Sequence, residues 1–290
     1  MKLENTLSFI IILLFTSNIY AYDKKNPCEV LINDGKNLAA IDAAKKMEGQ
    51  YDKNFCLGKA YYNENMYKLA MKSFDDSEEY SDLPADQMFS ILYKGAVQRD
   101  MGNLSISSKT FTRGLETAKL GNSKYLQMER RFLYQLGENG LISNNFDESI
   151  DFFSKSIVIS VNDDERASGF NALSKAYYGK KKINRSIEYG VKASNMYLKI
   201  GALSEYADSQ FLLASYHLED NAPDRSLKLL VKLEKFAIDN GSQYYEARSL
   251  LKQSIVYKST GDIKKADIKH EKGMGIAKVI GAKDLLPTGH

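Results

Sequence analysis

Apolar and small residues recur along this chain at helical spacing, and whole sets of them then recur as units. In the clearest set, Leu57, Gly58 and Tyr61 share one face, Asn65 and a turn follow, and Tyr67, Ala70, Phe74 and Ser77 form a second face ahead of Pro84. Residues three and four apart lie on one side of an α-helix. The stretch therefore predicts two amphipathic helices joined by a short turn.

The same arrangement returns at Gly95, Gly102, Leu104, Ser107, Phe111 and Gly114, and at Leu133, Leu136, Gly137, Asn144, Phe146, Ser149, Phe153 and Ser156. It returns again at Leu173, Ser174, Tyr177, Ile183, Ser186 and Ala193, and at Leu213, Ala214, Asn221, Ser226 and Leu230. The last copy holds Ser254, Tyr257, Gly261, Ile263, Ala266 and Gly273. Equivalent residues are separated by roughly 37 to 42 positions. Gly121, Gly201, Gly241 and Gly281 follow helical runs, where a glycine serves to stop a helix.

This pattern resembles the tetratricopeptide repeat, whose standard unit is about 34 residues. The longer interval here implies a longer second helix or a longer loop after it. The resemblance covers nearly all of the chain and implies an all-α fold, a right-handed solenoid of stacked helix-turn-helix units. Each unit is too thin to bury an apolar face alone, so its neighbour covers it. Small residues are needed where helices approach closely, and Gly58, Gly95, Gly137, Ser174, Ala214 and Ser254 form that row. Three residues on, the pattern expects a ring, supplied by Tyr61, Tyr177 and Tyr257 and replaced by Gln98, Gly140 and His217. The expected organisation is a signal peptide over 1–21, a shortened repeat or cap over 22–50, about six repeats over 51–281, and a tail over 282–290.

Composition narrows the picture only in places. A 290-residue solenoid grows by units and reads as one domain. The 19 Tyr and 13 Phe, with no Trp, fall mostly at core spacing, so they do not point to a stacking surface for a ligand. A net charge of +3, unchanged when Lys2 and Glu4 are removed together, leaves no basic field suited to nucleic acid. Lys2, the apolar run Leu7 to Phe15 and the segment Thr16 to Ala21 have the order of a secretory signal peptide cut after Ala21. That run is too short to span a bilayer, which takes about 20 residues. The expectation is a mature chain without a membrane span, periplasmic or secreted.

Cys28 and Cys56 are the two cysteines of the chain. In an oxidising compartment they read as a disulfide. The resemblance makes Pro27 to Asp34 and Leu38 to Met47 the two helices of a shortened unit and puts Cys56 on the next first helix, which packs beside the first. A bridge there would staple the end of the stack, with a chain-entropy gain of about 3 kcal/mol. Two buried thiols are the alternative.

The search for chemistry returns little. His217, His270 and His290 are too scattered for a metal site, and no metal or cofactor is expected. Acidic neighbours such as Asp75 and Asp76, Glu78 and Glu79, and Asp163 and Asp164 fall at helix ends and outer faces. No phosphate loop, dinucleotide fingerprint or nucleophile motif occurs. The expectation is a protein that is not an enzyme.

What remains is a surface. In the tetratricopeptide family the first helices line the concave side and their outward positions accept a peptide. Carried onto this chain, the candidate groove comprises Phe89, Leu92 and Arg99, then Arg131, Tyr134 and Glu138, then Lys175 and Tyr178, and Phe211 and Leu251. Aromatic and arginine side chains are typical anchors. The Lys and Asn set with which some family members clamp a C-terminal carboxylate is not reproduced, although Asn171 and Lys175 occur together. The leading expectation is an exported adaptor that binds a peptide segment of an envelope protein. The rivals are an extracytoplasmic sensor module and a self-associating protein whose homodimer contact lies near Ile276, Val279, Leu285 and Leu286.

Overall fold

The structure, a computed structural model, describes residues 26–286; the segment read as a signal peptide and the last four residues lie outside them. The described residues form fourteen α-helices and no strand. A short pair comes first, α1 (Pro27–Asn33) and α2 (Asn37–Ala44). Six full pairs follow: α3 (Gln50–Asn63) with α4 (Tyr67–Glu79), α5 (Pro84–Asp100) with α6 (Leu104–Leu120), and α7 (Leu126–Ile142) with α8 (Phe146–Val158). The remainder are α9 (Asp163–Gly179) with α10 (Ile183–Lys199), α11 (Leu203–Glu219) with α12 (Pro223–Asp239), and α13 (Gln243–Ser259) with α14 (Ile263–Val279). Each helix packs on the next, and first helices also lie side by side, α1 on α3, α3 on α5, α5 on α7, α7 on α9 and α11 on α13. This is the all-α repeat solenoid that the sequence predicts.

The turn inside each full pair is set by one left-handed residue. Within the six full pairs these are Asn65, Gly102, Asn144, Lys181, Asn221 and Gly261, with φ between 55° and 83°. Glycine takes this conformation freely and asparagine more cheaply than most other residues. Between pairs Gly201 and Gly241 do the same, and Gly281 does so after α14. Gly121 does not: its φ is −83°, and Asn122 beside it carries the left-handed turn at φ 50°. A 3-10 turn over Asn122–Tyr125 then leads into α7, which accounts for the longest repeat interval.

Pairs interlock by size. A Cβ on Gly58 would lie 2.5 Å from the ring of Phe74, on Gly95 2.3 Å from Phe111, and on Gly137 2.5 Å from Phe153. All three rings are fully buried. The next pair inverts the arrangement, with Ser174 facing Gly190, and the fifth substitutes Ala214 and Leu230 at the same positions. Small serines join the backbones at these contacts: Ser107 Oγ donates to the Gly95 carbonyl at 2.8 Å and Ser149 Oγ to Gly137 at 2.9 Å. Ser174 Oγ donates in the opposite direction, to Ser186 at 2.7 Å.

The ends differ. Cys28 and Cys56 are bonded, with Cα atoms 6.3 Å apart, and Lys59 of α3 pairs with Glu29 of α1 at 2.5 Å. At the other end His270 stands exposed at the position that Phe74, Phe111 and Phe153 bury elsewhere. Lys264, Glu271 and Lys278 are also exposed on α14, alongside exposed Ile263, Ile268 and Val279, so this helix presents a mixed surface.

Candidate binding face

The first helices present one row of positions each, at three- and four-residue spacing, and the structure shows that much of this row is tied from repeat to repeat. Arg131 lies over the ring of Phe89 at 5.6 Å, one repeat back. Arg99 donates to Gln135 Oε1 at 2.6 Å, one repeat forward. Tyr62 donates to Asp100 at 2.5 Å, and Tyr178 stacks on Tyr216 at 4.6 Å while donating to Glu219. Burial and that carboxylate push the Tyr178 hydroxyl up to about 12. Such pairs fix the angle between units and leave fewer free anchors than the sequence suggests.

Two expected groove residues turn toward the packing, Phe211 fully and Leu251 in part. Phe211 is 3% exposed and packs with Ala207, Ala214, Leu230, Leu233 and Val256. Leu251 faces the second helix of its own pair, its Cγ 2.9 Å from where a Cβ on Gly273 would stand. Phe89 and Leu92 pack partly on the cluster of Met88, Ile91, Phe111 and Phe132. Tyr134 lays its ring against Phe153 at 5.3 Å, and burial together with Glu138 pushes its hydroxyl well above the usual tyrosine range.

The accessible part of the face is narrower. Lys175 is exposed, Glu138 and Leu141 are half-buried, and Ile142 is 53% exposed. Asn171 and Asp164, both on α9, hold buried oxygen atoms without a donor, and the Asp164 carboxyl is raised first by burial and then by Glu205. Mid-stack the face thus offers aliphatic side chains and single charges of both signs above these buried oxygens.

Sequence reasoning missed two polar constructions. Arg130 and Glu165 form an ion pair at 3.2 Å with both side chains under one tenth exposed. Burial holds the Arg130 guanidinium below its ordinary value against the pull of Glu165. Arg130 occupies the register position held by Met88, Ala167, Ala207 and Ala247, so a charge among apolar equivalents was the available signal. The second is a clasp around Glu78, which takes both Lys94 and Arg113. His217 is half-buried with an unpartnered Nδ1, and burial and Arg225 lower its pKa. Among the described residues no group of three His, Cys, Asp or Glu is placed to hold a metal, and no helix is long and apolar enough to cross a membrane.

No protein-family model matches the sequence, and no curated protein matches it. Solved structures do match in shape. A signal transduction ATPase with numerous domains from Pyrococcus horikoshii, bearing a tetratricopeptide repeat sensor, superposes with a TM-score of 0.72 at 15% identity. The match covers 89% of this chain and 42% of that one, so the chain spans less than half of that protein. The apo form of RapI gives 0.65 at 12% identity over 88% and 84% of the two chains. A Rap protein in complex with Competence and Sporulation Factor gives 0.61 at 9% identity over 84% and 80%. Likeness at these identities shows the fold: the chain is a tetratricopeptide-type solenoid.

Proposed function

We propose that this chain is a non-catalytic interaction scaffold, exported from the cytosol, whose first-helix face holds a segment of an envelope protein. The observation that carries the reading is that Glu138, Leu141 and Ile142 on α7 and Lys175 on α9 keep exposed or half-exposed surface on the first helices, while several of their neighbours there are taken up in repeat-to-repeat pairs. An extended or helical segment with an apolar side chain flanked by charges fits that surface. The Rap protein with Competence and Sporulation Factor bound supports a binding role for such a solenoid. The Cys28–Cys56 bond supports an oxidising compartment.

The test is capture from cross-linked envelope extract with the chain lacking residues 1–21, beside an Ile142→Asp and Lys175→Glu double variant of unchanged helical content. A protein retained only by the unaltered chain, whose purified segment then titrates the scaffold directly, is the expected result. Equal capture by both removes this surface as the site. A second reading, a sensor module, is favoured by the similarity to the sensor-bearing ATPase. It calls for capture of a signalling partner rather than a cargo. Mass in solution separates both from self-association.

A further inference from the structure

Away from the first-helix face, three departures from the repeat meet at one place. Asn139 is 2% exposed at a register position that holds Ala60, Val97, Ala176, Tyr216 and Val256 elsewhere, all buried. Gly140 next to it stands where Tyr61, Tyr177 and Tyr257 supply rings. Ser108, on the preceding second helix, replaces Met71, Ile150, Ile187 and Leu227 of other repeats. Where the other units place a larger apolar or aromatic side chain at one or more of these positions, this junction holds a cleft of about 320 Å³ between α6 and α7, with Glu148 of α8 at its rim.

The polar groups of this cleft are unequal. Asn139 Nδ2 donates to Ser107 Oγ at 2.9 Å and Ser108 Oγ at 3.0 Å, which fixes the amide, while its buried Oδ1 has no donor from the chain. Glu148 accepts from Asn145 at 2.6 Å, and no lysine or arginine lines the cleft. Leu104 and Leu136 give it two apolar walls. Acceptors and a negative charge therefore converge without a cation, beside enough apolar surface for a short alkyl stem. A volume near 300 Å³ is the lower end for small-ligand sites.

We propose that this cleft is a binding site for a primary alkylammonium group. The ammonium donates to Asn139 Oδ1, the Glu148 carboxylate and a serine hydroxyl, using its three N–H bonds, and its stem lies between Leu104 and Leu136. A free diamine and a lysine side chain of a partner share this chemistry.

Isothermal titration of the full exported chain with 1,4-diaminobutane, and separately with Nα-acetyl-lysine methylamide, tests it. Saturable one-site binding of at least one probe is expected, weakened at least tenfold by Glu148→Gln and by Asn139→Val, which installs the residue found at Val97 and Val256. Preference for the diamine identifies a free amine, and preference for the lysine derivative identifies a partner side chain. Glu148 is exposed at the rim, so Glu148→Gln remains informative if Asn139→Val does not fold. No saturable binding of either probe, equal binding of neutral 1,4-butanediol, or affinities unchanged in Glu148→Gln overturns the site.

Discussion

At the residue scale the interlock between helices is a matter of single methyl groups. A Cβ on Gly137 would stand 2.5 Å from Phe153, a ring with no exposed surface into which to retreat. Gly137→Ala gains about 1 kcal/mol of helix propensity but overpacks the contact by ~1–3 kcal/mol, and a net loss of stability in urea is expected. Phe153→Leu alone leaves a cavity. The two together reproduce the Ala214 and Leu230 arrangement of the fifth pair, so the double variant should lose less than the sum of the singles by at least ~0.5 kcal/mol. Strict additivity in a double-mutant cycle would show that ring and methyl do not compete. The same precision explains what the sequence did and did not reveal of the binding face. Three-and-four spacing identified a helical row, and Lys175 is exposed on it, but spacing carries no information on how each helix is rotated against its neighbours. Phe211 is lost to the interior and half-buried Leu251 turns onto α14 for that reason. Asn139 was legible as a break in the register, yet its Oδ1 became meaningful only once Ser107 and Ser108 were seen to take its amide.

Between elements, charge and sulfur do what apolar packing does within them. Glu78 of α4 accepts from Lys94 of α5 at 2.9 Å and from both Arg113 nitrogens of α6 at 2.5 and 3.0 Å. Burial alone would raise its carboxyl, but the hydrogen bonds from Arg113 and Lys94 outweigh burial and hold it below its ordinary value. A depressed carboxylate stabilises the folded chain above its unfolded-state pKa, and the contribution is lost as pH falls through the folded value. Glu78→Gln should therefore be less stable than the unaltered chain at pH 7, with the difference closing as the solution is taken below about pH 4; thermal melts across that range decide, and a gap that persists at pH 2.5 would argue for a packing defect instead. The N-terminal pair depends on its own tie. Replacing Cys28 and Cys56 by Ser removes a constraint of about 3–4 kcal/mol in the chain-entropy model, and amide exchange should then quicken over α2, around Ala40, Ile41 and Ala44, while α9 to α14 keep their protection. Equal loss everywhere would mean the short pair is not a separable element. The helices themselves were readable because small and large residues recur in complementary places. At Gly121 the helix stops as the sequence predicts, but the left-handed turn falls on Asn122 beside it.

For the whole molecule the decisive property is that, among the described residues, the helices that pack together are near neighbours in the stack. Stability in such an array is a sum of unit and interface contributions, so a weak interface can divide the molecule into parts that unfold separately. The third pair is where division should occur. It carries the polar junction at Asn139 and the buried Arg130–Glu165 pair, which links α7 to α9. Removing one member of a buried pair leaves the other uncompensated, at a cost of about 3–5 kcal/mol. Arg130→Met puts at this position the residue found at Met88 and strands Glu165. The expected outcome is a urea transition that splits in two, with exchange protection lost first over α7 to α9 and retained in α11 to α14. In Arg130→Met with Glu165→Leu the stranded charge is gone, and a single transition should return. A single, merely shifted transition in Arg130→Met would show instead that coupling through the stack exceeds the energy of this pair, and that the solenoid unfolds as one cooperative body.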